Sequence, residues 1–420
     1  MAALAGVLLC ALSAAPAAAQ APVATVQAPA PAPAAGQSGT ETAEQKDVVD
    51  LFRQWRKKPV PSAQDEQASK RAAFILVPIV ASKPSSGLSV GVGGTIEFPL
   101  GPAADTFVSS VLVGASVSTK KQYTLFMKPE LYGSGNGWLL AGDNHYKLAG
   151  QTTYGLGSDA PASGGVDAKY KSTKFIDTYY RETVDHVLFG AGLSYQRFSD
   201  VQPDGADGWA GSPYEAYSLE MGFDPAGQTA AGLLASVRLD TRDNRSDPFR
   251  GWFTEARYTA NMAGFIGGDS TWQRLYVDVR HFVPLKTVRR QVLAFWGYGD
   301  VVTHGNAPYL SLPATGTDPL ERSGRGYAEG RFRGEQLVYG EVEYRLTLRR
   351  DGLLGMVGFL NATTVGSPFA DQKLFDSVAI GGGVGLRARL QKRSRTNICL
   401  DFGFGRKGSH GVYLGLAEAF

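Results

Sequence analysis

Cysteine is almost absent: the 420 residues hold two, Cys10 and Cys399. A disulfide-stapled fold and a multi-cysteine metal centre are both excluded by that count. Long apolar runs are missing as well. Beyond the first twenty residues no stretch of 18 apolar residues occurs, so the sequence offers no transmembrane helix there. Charge of a single sign is also lacking. With 42 basic against 39 acidic residues and a net charge of +3, the chain is too balanced to argue for a nucleic-acid partner. The five histidines, at 145, 186, 281, 304 and 410, share no metal-ligand spacing with one another or with Cys399, and nothing points to a cofactor.

Glycine, by contrast, is abundant, at 52 of 420 residues or about one in eight against a usual ~7%. Most of the chain after residue 72 alternates with period two in segments of about ten residues, the length a transmembrane strand needs. Leu233, Ala235, Val237 and Leu239 share one face while Ser236, Arg238, Asp240 and Arg242 share the other. Leu275, Val277 and Val279 oppose Arg274, Asp278 and Arg280 in the same way, as do Ile398, Leu400, Phe402 and Phe404 against Cys399, Asp401 and Gly403. A soluble sandwich alternates too, but many such segments in series without an intervening helical pattern favour a membrane barrel.

Residues 4–15 form a short apolar core followed by Ala17-Ala18-Ala19, which implies a signal peptide over residues 1–19. No basic residue precedes that core, which leaves room for a start further upstream. Leu9 is too large for the small residue expected before a lipoprotein Cys10. With the signal removed only Cys399 remains, so no intramolecular disulfide is possible. Residues 20–71 read as a disordered Ala/Pro-rich tether. Within it, Val48, Val49, Leu51, Phe52 and Trp55 fall at helical spacing and predict a short amphipathic helix over 42–58. The plainer reading is a tether with one helical patch; the sharper one is a helix that docks in the barrel mouth or on a partner.

Residues 72–420 predict sixteen strands, from 73–82 and 87–98 through 137–150, 171–184, 186–199, 229–242 and 251–264 to 378–391, 396–405 and 411–420. The fold class expected is all-β, a transmembrane antiparallel barrel. Turns after even-numbered strands are mostly short, and the alternate connections 151–170, 200–228 and 304–333 are long, matching periplasmic turns and outer loops. The basic turn residues Arg289, Arg290, Arg349, Arg350, Lys392, Arg393 and Arg395 read as solvated charges, with anionic headgroups as the alternative contact.

Arg325-Gly326-Tyr327 lies in the long loop after the eleventh strand, followed by Gly330-Arg331-Phe332-Arg333 and by Glu341-Val342-Glu343-Tyr344-Arg345. Asp240, Arg242, Asp243, Asn244, Pro248 and Gly251 stand at the turn between the eighth and ninth strands. Together these stretches resemble the barrel of the bacterial surface antigen superfamily, which includes BamA and TamA outer-membrane assembly factors and two-partner-secretion translocators. The resemblance implies that the Arg-Gly-Tyr loop folds back into the lumen. A guanidinium carried there must meet carboxylates, and period two aims Glu341 and Glu343 inward on the next strand; with Asp401 they are the candidate partners. Three positions depart from the family pattern: Asn361 and Thr363 stand where an Asp and a Gly are usual, and Cys399 where an Arg is common. Nothing before residue 72 is long enough for the periplasmic domains of assembly factors.

Pro78 in the first strand cannot donate to a ladder and belongs on an edge, which predicts a weak seam with the last strand. That strand, Gly411 to Phe420, is expected to carry Val412, Leu414, Leu416 and the terminal Phe420 on its apolar face, interrupted by Glu418 near the interface. Gly87-Leu88-Ser89-Val90-Gly91 matches a nucleophile-elbow spacing, but alternation continues through it and catalysis is not expected. The expected role is inserting or translocating protein, or moving lipid, across the outer membrane of a Gram-negative bacterium. The alternative is a passive or gated pore. Partners are then outer-membrane lipids, an unfolded barrel or secreted protein as substrate, and the barrel assembly machinery for the chain's own insertion.

Overall fold

The computed structural model describes residues 46–57, 73–83, 86–102, 106–205, 209–285, 290–391, 395–416 and 418–420. The expected signal peptide, most of the tether, and Lys286 to Arg289, Lys392 and Arg393 of the basic turns lie outside these residues. Sixteen antiparallel strands, each paired with its sequence neighbours, form one ring. They are β1 (Ala73–Lys83), β2 (Gly87–Phe98), β3 (Ser109–Ser118), β4 (Tyr123–Tyr132), β5 (Trp138–Thr153), β6 (Val166–Val184), β7 (Val187–Pro203) and β8 (Gly227–Asp240). The second half comprises β9 (Gly251–Asn261), β10 (Trp272–Pro284), β11 (Gln291–Gly305), β12 (Gln336–Thr347), β13 (Leu354–Gly366), β14 (Ala379–Gln391), β15 (Thr396–Gly405) and β16 (His410–Leu416). Among the described residues no helix is long and apolar enough to cross a membrane.

Period two decides which side chains enter the lumen. On β10, Tyr276, Asp278, Arg280 and Phe282 are buried, whereas Leu275 and Val279 are exposed on the outer face. The outer belt continues with Leu193, Leu233, Leu360, Leu386 and Phe402. Inside, aromatic rings including Trp296, Tyr298, Tyr339, Phe332 and Phe420 pack into a lumenal core.

Several expectations need correction. The expected outer loop 151–170 is shorter than predicted, because β5 continues to Thr153 and β6 starts at Val166, which leaves residues 154–165 as the connection. The 19 residues of β6 extend ~60 Å along the strand, far more than an apolar band ~25 Å tall requires even when tilted. Polar and charged residues such as Lys169 and Lys171, ion-paired to Asp204 and Asp200, sustain that continuation. At the other end, β16 stops at Leu416, and the tail turns inward. Phe420 is therefore 4% exposed and stacks near Trp296 and Phe282 instead of facing lipid. Glu418 is likewise buried, not at an interface: it accepts from Arg387 Nε at 2.7 Å and Asn397 Nδ2 at 2.6 Å.

Two short α-helices accompany the barrel among the described residues. α1 (Val48–Trp55) lies within the predicted 42–58 and packs against β14; the Lys46 N–H just before it donates to Asp351 O in the β12–β13 turn. α2 (Pro213–Glu220), capped by Ser212, sits on the outer side. Its Tyr214 and Tyr217 join Tyr309, Leu312, Trp272, Tyr170 and Phe198 in an aromatic dome.

Candidate functional site

The connection from β11 to β12, residues 306–335, leaves the dome and descends into the lumen. Its tip is folded by its own side chains: the Asp318 carboxylate accepts from the N–H groups of Leu320, Arg322 and Ser323. Ser323 Oγ in turn accepts from Tyr298 Oη of β11 and from Gly316 N. Lys147 of β5 holds Glu321 across the lumen. The following residues are delivered to the opposite wall.

There Arg325, 1% exposed, meets Glu341 and Glu343 of β12 through Nη2 and Asp401 of β15 through Nη1, the last at 2.6 Å. Its guanidinium lies over the Phe359 ring, 3.7 Å from the centroid. Removing such a cation from water is tolerable only because three carboxylates and a π-face replace the lost hydration. The carboxylates are themselves shared. Arg345 Nε donates to Glu343 at 2.8 Å, Tyr339 Oη to Glu341, and Arg387 Nη1 to Asp401.

Gly326 has φ +109°, and a Cβ there would stand 2.7 Å from Phe404 O, so only glycine lets the loop lie on β15. Tyr413 Oη accepts from Gly326 N, and Tyr327 Oη donates to Ile380 O, tying the motif to β16 and β14. Asn361 Nδ2 donates to Arg325 O at 3.0 Å. At that position this chain therefore clasps the loop backbone with a neutral amide instead of a charge. Arg387 is the residue that sequence reasoning missed. It is the register partner of Cys399, so a guanidinium from β14 stands beside the place where the family's β15 arginine would be. Extending period two along 378–391 would have pointed Arg387 inward; nothing in the sequence sets the cross-strand register.

The motif between β8 and β9 forms a floor on the periplasmic side. Asp240 binds Arg242 bidentately at 2.9 Å, and Arg242 covers the Phe253 ring. Asp243 Oδ1 accepts from Phe249 N and Arg250 N, and its Oδ2 from Arg395. Burial pushes the Asp243 carboxyl up, but these N–H donors and Arg395 outweigh it and hold it below the usual range. Asn244 Oδ1 accepts from the N–H groups of Ser246 and Asp247. Pro248 is buried, and Gly251 takes φ +109° with Thr241 O 2.3 Å from where a Cβ would stand. Asp247, 2% exposed, receives Arg290 at 2.6 Å and Arg389 at 2.9 Å. Arg290 and Arg395, read from sequence as solvated, are thus pinned to this turn, because it folds beneath the mouth.

At the seam, all eleven residues of β1 pair with β2, Pro78 opposite Val92, whereas β1 meets β16 at one described pair, Ser82 with Leu414. The inward-turned tail is held by Arg345 Nη2, which donates to Phe420 O at 3.0 Å.

Residues 185–404, from the start of β7 through β15, match the Omp85 superfamily domain. Among solved structures, the chain resembles BamA from Haemophilus ducreyi lacking POTRA domains 1–3, with TM-score 0.56 and 15% identity over 83% of this chain and 70% of that one. It also resembles CdiB from Acinetobacter baumannii, with TM-score 0.53 and 13% identity over 82% of this chain and 60% of CdiB. No curated protein sequence matches.

Proposed function

This chain belongs to the Omp85 superfamily, an outer-membrane barrel of the translocase and insertase type, and from that premise we propose that it inserts or translocates protein, or moves lipid, through its β1–β16 seam. The observation that carries the reading is the contrast between a filled lumen and a thin seam. The lumen is blocked by the Arg325 loop, the aromatic dome and the floor turn, which argues against a passive pore. The wall, in contrast, is joined among the described residues at one pair, beside a strand whose Pro78 cannot donate. An edge so sparsely paired is a template for an incoming strand. Residues 1–19 act as the export signal and 20–71 as a tether in the same proposal.

The test is a seam cross-link. The register makes Ser82 and Leu414 the informative pair. Oxidised Ser82→Cys/Leu414→Cys protein reconstituted in liposomes should lose insertion of a urea-unfolded barrel and regain it on reduction. Full activity of the completely cross-linked protein would overturn the seam route.

A further inference from the structure

Beneath the loop lock, the floor turn leaves a small cavity of about 30 Å³ at the periplasmic end of β12–β15, lined by Arg290, Arg345, Arg387 and Arg389 with Asp247 and Glu418. Three of those guanidiniums keep an N–H without a hydrogen-bond partner among the described residues: Arg345 Nη1, Arg387 Nη2 and Arg389 Nε. Arg345 and Arg387 are each 7% exposed, so these donors are desolvated and not facing open water. The carboxylates nearby are already engaged. Glu418 serves Arg387 and Asn397, Asp247 serves both Arg290 and Arg389, and Glu343 and Asp401 neutralise Arg345 and Arg387 from the lumen side. One carboxylate shared between Arg290 and Arg389 leaves a surplus of positive charge at the opening.

We propose that this cavity binds the phosphate of a glycerophospholipid from the periplasmic leaflet. Buried orphan donors call for an occupant, and guanidinium forks match phosphate oxygens better than any other common anion except carboxylate. The volume admits about two water-sized groups, which matches the two non-bridging oxygens of a phosphodiester while its ester arms stay outside. The rim favours an amphiphile over the free ion. Leu354 and Met356, 41% and 38% exposed, flank the opening. α1 lies beside the same mouth and leaves Leu51 and Trp55 exposed, an apolar surface at the level where headgroups begin. The proposal does not depend on what crosses the seam.

The experiment is native mass spectrometry of the full chain in detergent after delipidation, titrated with phosphatidylglycerol, alongside thermal unfolding in inorganic phosphate. Arg389→Gln removes one orphan donor but leaves Arg290 on Asp247, and Met356→Glu spoils the rim without touching an arginine. Wild-type protein should retain one lipid, with retention falling about tenfold in Arg389→Gln and in Met356→Glu, and millimolar phosphate should not displace it. If inorganic phosphate stabilises the wild type and phosphatidylglycerol adds nothing, the site takes the free anion and the lipid assignment is overturned. If wild type and both variants retain lipid equally, or none retains it and phosphate has no effect, water satisfies the donors and the site does not exist.

Discussion

Arg325 shows how one side chain joins a loop to a wall. Arg325→Ala leaves Glu341, Glu343 and Asp401 without their shared cation, a loss on the order of 3–5 kcal/mol for so buried a cluster. The loop should then come free. Limited proteolysis should cut within 306–335, and planar-bilayer conductance should rise; Arg325→Lys, lacking the planar fork, should restore protection only in part. Unchanged protection and conductance in Arg325→Ala would show that the cluster does not hold the loop. Arg387 makes a second prediction, because its register partner is Cys399. Arg387→Leu should loosen the loop, and adding Cys399→Arg should recover protease resistance, since either strand then supplies a guanidinium to Asp401. Failure of the second change to recover anything would place Arg387's contribution on Glu418 instead. At this scale the sequence was informative wherever period two sufficed. It aims Glu341 and Glu343 inward, but it says nothing of which residue on β14 stands opposite Cys399, nor that Asn361 grips a carbonyl.

Elements show where local patterning loses to tertiary structure. The alternation that placed β8, β10 and β15 holds there because one face meets lipid and the other a packed lumen. It fails at β16, whose pattern continues to Phe420 while the chain leaves the sheet after Leu416 for the ring of Trp296 and the guanidinium of Arg345. An aromatic residue reads alike whether its neighbour is an acyl chain or an indole. Phe420→Ala should therefore cost about 3–5 kcal/mol, the usual range for emptying an aromatic site. The heat-modifiable band on electrophoresis should unfold at a lower temperature. Deletion of 411–420 removes β16 altogether and should leave a periplasmic, protease-sensitive chain; recovery of a heat-modifiable outer-membrane band would contradict this. The floor turn depends on Asp247, so Asp247→Ala, which strands Arg290 and Arg389, should raise protease cleavage at 241–250 while the dome stays protected.

For the molecule as a whole, strand number and the asymmetry of connections were readable because a barrel in a bilayer must close and must present apolar residues outward at every second position. The height of the wall was not. β5, β6 and β7 keep hydrogen bonding well beyond the apolar band, and the residues there carry the charge and polarity expected of a loop. The cell surface consequently displays a stiff, hydrogen-bonded ribbon instead of a mobile loop. An antibody or phage tail fibre would meet its epitope already ordered, with Lys169, Lys171, Asp200 and Asp204 in fixed pairs. Such a ligand binds without first ordering its target, so it should recognise the folded protein on intact cells and ignore a linear peptide of the same residues.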